Sequence, residues 1–305
     1  MTGRRQVALR PSEWLILAFF AYIAFISLFF DRPHLHVTPF AEFLFITSIL
    51  MLVAGSGRER WQAFFSHLRD WLPLLYTLLA FREMELFLPA SFDSGLEASW
   101  IKLDRVLLDD YHLRAVIQGL GLVIPLYLEL CYLLVYGMAA ICVWILYSRA
   151  KRRFVDQYWV IYLSGTLLAY ALFPYFPSRP PRIVYAGLDN PGVSTWVREL
   201  NLFILRRATI HVGVFPSAHV SAAFACTWAM FLLFPERKRI GWLLLIYSVS
   251  VSVATVYGRY HYAADVLAGF GVSLVAAAVA VWLAKKKKAE RLETSRPSTT
   301  GSKIY

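Results

Sequence analysis

Eight largely apolar stretches, near residues 13–30, 39–55, 71–90, 120–148, 157–175, 215–234, 240–258 and 262–284, each approach the ~20 residues that cross a bilayer. In hydrocarbon a backbone must satisfy its polar groups internally, so an all-α, polytopic transmembrane bundle of about eight spans is expected. Composition agrees: 58% of the 305 residues are hydrophobic and 17% charged, more apolar surface than a soluble domain of this size can hide. Arg82, Glu83 and Glu85 interrupt the third stretch, so they must face the bundle interior, pair, or sit at an interface. Glu129 in the fourth stretch is the partner expected for Arg82. The first stretch follows Arg4, Arg5 and Arg10 and lacks a small-residue cleavage site, which reads as a retained anchor.

The net charge of +11 does not point to nucleic acid, because the basic residues cluster in short loops between apolar runs and no recognition motif accompanies them. Arg4/Arg5/Arg10, Arg58/Arg60/Arg69, Arg149/Lys151/Arg152/Arg153, Arg237/Lys238/Arg239 and the tail from Lys285 hold 20 of the 31 basic residues and fall on one side. The positive-inside rule places both termini in the cytoplasm and turns residues 91–119, 176–214 and 258–261 outward, in a plasma or inner membrane. Segment 95–118 mixes Trp100, Leu103 and Val106 with Lys102, Asp104 and Asp110, the pattern of an amphipathic helix on the outer surface. Cys131, Cys142 and Cys226 fall inside spans, with neither disulfide nor zinc spacing. Three regions result: an N-terminal membrane region over 1–119, a core over 120–285, and a disordered cytoplasmic tail over 286–305.

The outward side gathers three segments with chemistry: Phe173 to Arg182, Phe215-Pro216-Ser217-Ala218-His219, and Tyr257 to Asp265. His261 and Asp265 are four apart and share a helix face, so the carboxylate can hold one ring nitrogen protonated and leave the other free as a nucleophile. Pro216 suits a first helical turn, where Ser217 and free amides can meet phosphate oxygens at the positive end of the dipole. His219 can then protonate a leaving oxygen, and Arg179, Arg182 and Arg259 supply charge and bidentate hydrogen bonds. The expectation is a metal-free, cofactor-free phosphoryl-transfer site. Two other readings stay open: His219, His261 and Asp265 as a transition-metal triad, and a transporter or scaffold with a decayed site. A serine hydrolase on Ser217 lacks the Gly-x-Ser-x-Gly elbow.

Phe215-Pro216-Ser217-Ala218-His219 and His261-Tyr262-Ala263-Ala264-Asp265-Val266-Leu267-Ala268-Gly269 resemble the second and third signature motifs of the type 2 phosphatidic acid phosphatase superfamily, which includes vanadium haloperoxidases. The resemblance covers residues 120–285 and is closer to the inositol phosphorylceramide synthase branch. It implies an acid phosphatase/haloperoxidase-like helical core, His261 as the nucleophile forming phosphohistidine, His219 as general acid and Asp265 as orienting carboxylate. It also implies a phosphate cradle drawn from Arg182, Arg259, Arg179, Ser217 and Ala218, where Ala218 replaces the usual glycine. Thr255 and Leu172 stand where the phosphatases carry Arg and Lys. The implied activity is inositolphosphotransferase-like transfer of a phosphoalcohol head group to a lipid hydroxyl, with hydrolysis of phosphatidic acid or isoprenyl diphosphate as the alternative. The partners expected are a phospholipid or isoprenoid phosphate substrate and the lipid bilayer.

Overall fold

The computed structural model describes residues 8–30, 33–55, 59–87, 89, 95–187, 189–210 and 213–294. Arg4, Arg5, Arg58 and His211, the last close enough in sequence to line the site, lie outside them. Among the described residues every regular element is helical: α1 (Pro11–Ser27), α2 (Thr38–Gly55), α3 (Glu59–Glu83), α4 (Gly95–Arg105), α5 (Leu113–Gly119), α6 (Val123–Ser148), α7 (Val155–Leu172), α8 (Pro181–Val184), α9 (Trp196–Ala208), α10 (Ala218–Leu233), α11 (Lys238–Tyr257) and α12 (Ala263–Thr294). Each apolar run coincides with a long helix. Four of them, α2, α6, α11 and α12, have both the length and the apolarity of a membrane crossing. α1 and α10 are apolar but have only 17 and 16 residues, while α3 and α7 carry more polar side chains. The chain is an all-α integral membrane protein.

α10 sits at the centre, against α6, α7, α11 and α12. Its small residues let the neighbours approach closely, the usual solution for helices packing in lipid. A Cβ on Gly165 of α7 would lie 3.1 Å from Ser221 Oγ, 3.3 Å from Ala225 Cβ and 3.4 Å from Ala276 Cβ, so α7, α10 and α12 meet where side chains are smallest. Ser221 Oγ donates to the Gly165 carbonyl at 3.0 Å, satisfying a hydroxyl that would be costly there.

The basic loops gather at one end of the bundle. Arg69 donates to both Glu13 carboxylate oxygens at 2.6 Å, and Arg10 and Arg152 each reach a different Asp70 oxygen at 2.6 Å. Lys151 donates to the Leu233 carbonyl at 2.6 Å. These contacts tie α1 and α3 to the α6–α7 turn, so the N-terminal helices dock on α7.

Several expectations are corrected. Arg82 does not meet Glu129; its guanidinium donates to the Ala208 and Thr209 carbonyls at 3.2 and 3.4 Å, where a cation suits the end of α9. Glu129 instead accepts from Arg198 at 2.9 Å, Asn201 at 2.8 Å and Tyr260 at 2.6 Å, a buried carboxylate with its charge balanced. Segment 95–118 is no single surface helix: α4 gives way to a π turn over Val106–Asp110 and then to α5, and the side of α4 turned inward carries the buried Glu97 and Asp104. Pro216 precedes α10 rather than starting it, because Ser217 is the cap. The tail expected to be disordered from 286 is helical through Thr294, in keeping with its run of Lys, Ala, Glu, Arg and Leu. Residues 295–305 lie outside the described residues.

Candidate active site

The end opposite the basic loops is built from the close of α11, the start of α12 and the start of α10. α11 stops in a Schellman pattern. The Arg259 amide donates to Val256 O at 3.1 Å, and the Tyr260 and His261 amides donate to Thr255 O at 2.9 and 3.0 Å. Arg259 occupies, at φ 64°, the left-handed position where glycine is usual. The turn reverses the chain and delivers His261, 5% exposed, beside the first turn of α12. There Asp265 Oδ2 accepts the Tyr262 amide at 2.8 Å, an acidic cap of the helix start.

Ser217 caps α10 by accepting the Val220 amide at 3.4 Å, and its own amide donates to Asp265 O at 2.9 Å. A Cβ on Gly269 would lie 2.4 Å from Ser217 O, so only glycine lets α12 run this close to the α10 cap. Two helix starts are thereby locked side by side, each carrying a histidine at its mouth.

His261 Nδ1 lies 3.0 Å from Val214 O and 3.3 Å from Asp265 Oδ2. Both neighbours are acceptors, so Nδ1 carries the hydrogen, and the Nε2 lone pair faces His219 Nδ1 at 3.4 Å. Burial, with the Arg182 charge adding to it, pushes His261 down to about 3, leaving a neutral imidazole at physiological pH. His219 is fixed by α6: Tyr132 stacks on its ring at 5.3 Å and Tyr136 meets it edge-on at 5.3 Å. Tyr132 in turn stacks on Tyr260 at 3.8 Å, whose hydroxyl is held by Glu129. These aromatic supports carry no spacing signal in the sequence, and Glu129 in its apolar run suggests an ion pair rather than a stack of rings.

A cavity of about 250 Å³ opens from the two imidazoles. His219, His261 and Arg182 form its polar end, Ala218 and Val214 lie beside them, and aliphatic and aromatic side chains with Thr77 and Thr209 form most of the rest. Arg182 on α8 is placed by its amide, which donates to Arg259 O at 3.1 Å, and by its guanidinium, which reaches Tyr260 O at 3.4 Å.

Of the expected phosphate group, Arg182 and Ala218 line the cavity, while Arg179, Ser217 and Arg259 are not among the lining residues. The Arg259 guanidinium turns to Asp104 of α4 at 2.7 Å, 2% exposed, and Asp104 also accepts the Ala263 amide at 2.8 Å. The Arg179 amide donates to Glu97 at 2.7 Å, with its guanidinium 3.6 Å from the same carboxylate. Both arginines therefore fasten α4 to the site's loops. A three-donor metal site does not fit this geometry, since Asp265 lies against the Nδ1 edge of His261 and His219 against the Nε2 edge. Donors on opposite edges of one ring cannot converge on one ion.

The chain is similar to undecaprenyl-diphosphatase BcrC of Bacillus subtilis (strain 168), 31% identical over 134 residues, covering 40% of this chain and 67% of that protein. It is similar to a PA-phosphatase related-family protein of Dictyostelium discoideum, 29% identical over 122 residues, 37% of this chain and 21% of that protein. It is also similar to the bacitracin transport permease protein BcrC of Bacillus licheniformis, 33% identical over 72 residues, 24% of this chain and 34% of that protein. The chain thus spans from a fifth to two thirds of the length of these relatives. No solved structure matches it. The PAP2 superfamily model matches residues 105–279, more than half the chain and inclusive of both histidines and Asp265, and the chain belongs to that superfamily.

Proposed function

We propose that this protein is a membrane lipid phosphate phosphatase working through a phosphohistidine on His261, with isoprenyl diphosphate or phosphatidic acid as its substrate class. The observation that carries the reading is the facing pair His261 Nε2 and His219 Nδ1, 3.4 Å apart at the Arg182 end of an apolar cavity. A phosphoryl group entering from the cavity takes the place of that contact. His261 Nε2 forms a bond to phosphorus, the bond from phosphorus to the lipid oxygen breaks, and His219, protonated once the phosphoryl anion is bound beside it, gives its proton to that oxygen. Val214 O and the Asp265 carboxylate hold the Nδ1 hydrogen as the ring becomes positive. Water then gives a proton to His219 and attacks phosphorus; the P–N bond breaks and inorganic phosphate leaves. Arg182 and the first-turn amides of α10 offset charge on the phosphoryl oxygens.

A relative named as a diphosphatase supports hydrolysis over head-group transfer, the activity first expected, and the synthase branch has only the motif resemblance in its favour. In this reading residues 120–285 are the catalytic core, eight helices cross the membrane, both termini are cytoplasmic and the site faces outward. Incubating purified protein with phosphorus-labelled undecaprenyl diphosphate or phosphatidic acid, with and without diacylglycerol or ceramide, tests it. Free phosphate is expected, along with an acid-labile adduct at His261; both should vanish in His261→Ala. A new labelled lipid would restore the transferase reading, and full turnover by His261→Ala would remove the mechanism.

A further inference from the structure

α3 precedes the segment matched by the superfamily model, yet it supplies part of the cavity wall. Leu74, Leu78 and Phe81 recur at helical spacing and line one side. Ile204, Leu205 and Ala208 of α9 belong to the same lining, which continues to the imidazoles. Leu78 is 56% exposed although it lines the cavity, so the wall opens outward at α3. Beside that wall, Arg82 reaches from the last turn of α3 to the final carbonyls of α9, latching the two helices together.

One end of the cavity thus carries a guanidinium and two imidazoles, and the other is mostly hydrocarbon and aromatic, with the Thr77 and Thr209 hydroxyls donating to the Pro73 and Ile210 carbonyls. That division complements an amphiphile with an anionic phosphate head and an apolar chain. We propose that α3 is the chain-selecting wall: Leu74, Leu78 and Phe81 contact the hydrocarbon of the substrate, and Arg82 sets the gap between α3 and α9 through which the chain lies. This rests on the lipid phosphatase reading and adds to it a specificity element outside the superfamily segment.

The test compares kcat/KM for phosphatidic acid in mixed micelles with that for p-nitrophenyl phosphate, which has no chain. Leu78→Trp and Phe81→Ala should each lower the ratio of the two by about ten-fold or more, the scale of discrimination that an apolar pocket provides. A ratio within about two-fold of wild type in both variants, with their folding confirmed by thermal melting, would overturn the proposal, since pocket contacts should show at the ten-fold scale. A second measurement does not depend on turnover. Phosphatidic acid bearing a diazirine in its acyl chain should label a peptide containing residues 74–81, and label confined to α6 and α9 would overturn the assignment. An inactive wild type that still labels α3 would reject the phosphatase reading while retaining the chain site.

Discussion

In the proposed mechanism His261 is the residue on which the chemistry turns, and its surroundings set its proton. Burial, reinforced by Arg182, places it at about 3, against about 6.5 for an exposed imidazole. Its ring should therefore remain neutral at pH 5 in nitrogen-15 NMR of the free protein; a midpoint near 6.5 would mean that the ring is solvated. The sign for stability follows. The unfolded chain takes up a proton below about 6.5 that the folded site refuses, so folded-state stability present at neutral pH is lost as pH falls from there towards about 3. Asp265 shares the Nδ1 hydrogen with Val214 O, and the carbonyl is the nearer of the two at 3.0 Å. Asp265→Asn should accordingly cost about 10²-fold in kcat, at the lower end of what an acid–base group contributes. A loss as large as that of His261→Ala would show that the carboxylate alone holds the ring.

Among the elements, α4 has the least visible role. Asp104 bonds Arg259 and the Ala263 amide at once, Glu97 holds Arg179, and Trp100 stacks on Phe215 at 4.9 Å, so one short helix fastens all three site segments. Asp104→Ala leaves the Arg259 charge buried without its main partner, which should cost about 3–5 kcal/mol of stability and lower activity with it. Arg182→Ala should instead leave the melting temperature near wild type and reduce kcat/KM by about 10²–10³-fold, as for loss of one transition-state donor. Equal thermal losses in the two variants would show that Arg182 is also a structural tie. Helix existence and the pairing of His219, His261 and Asp265 were legible because apolar length and the four-residue spacing are local patterns. The partners of Arg259, Arg82 and Glu129 were not, because a long charged side chain chooses among groups that only the tertiary fold brings near. Nothing local to the turn before His261 says that Arg259 swings to α4 rather than to phosphate.

For the whole molecule the arrangement of charge is the strongest argument. The Arg10, Arg69, Arg152 and Lys151 contacts lie at one end, and the two histidines, Arg182 and the α4 clasp lie at the other. In the proposed reading the positive-inside rule turns the histidine end outward, where the lipid phosphate substrate would be met. Single cysteines at Trp196, 68% exposed at the site end, and at Lys238, exposed at the other, can report this with a membrane-impermeant maleimide. The native Cys131, Cys142 and Cys226 are buried and free, so they contribute little background. Trp196→Cys should label in intact cells and Lys238→Cys only after permeabilisation. Labelling in the opposite order would place the site in the cytoplasm and require a substrate drawn from the inner leaflet, even with the imidazole pair unchanged.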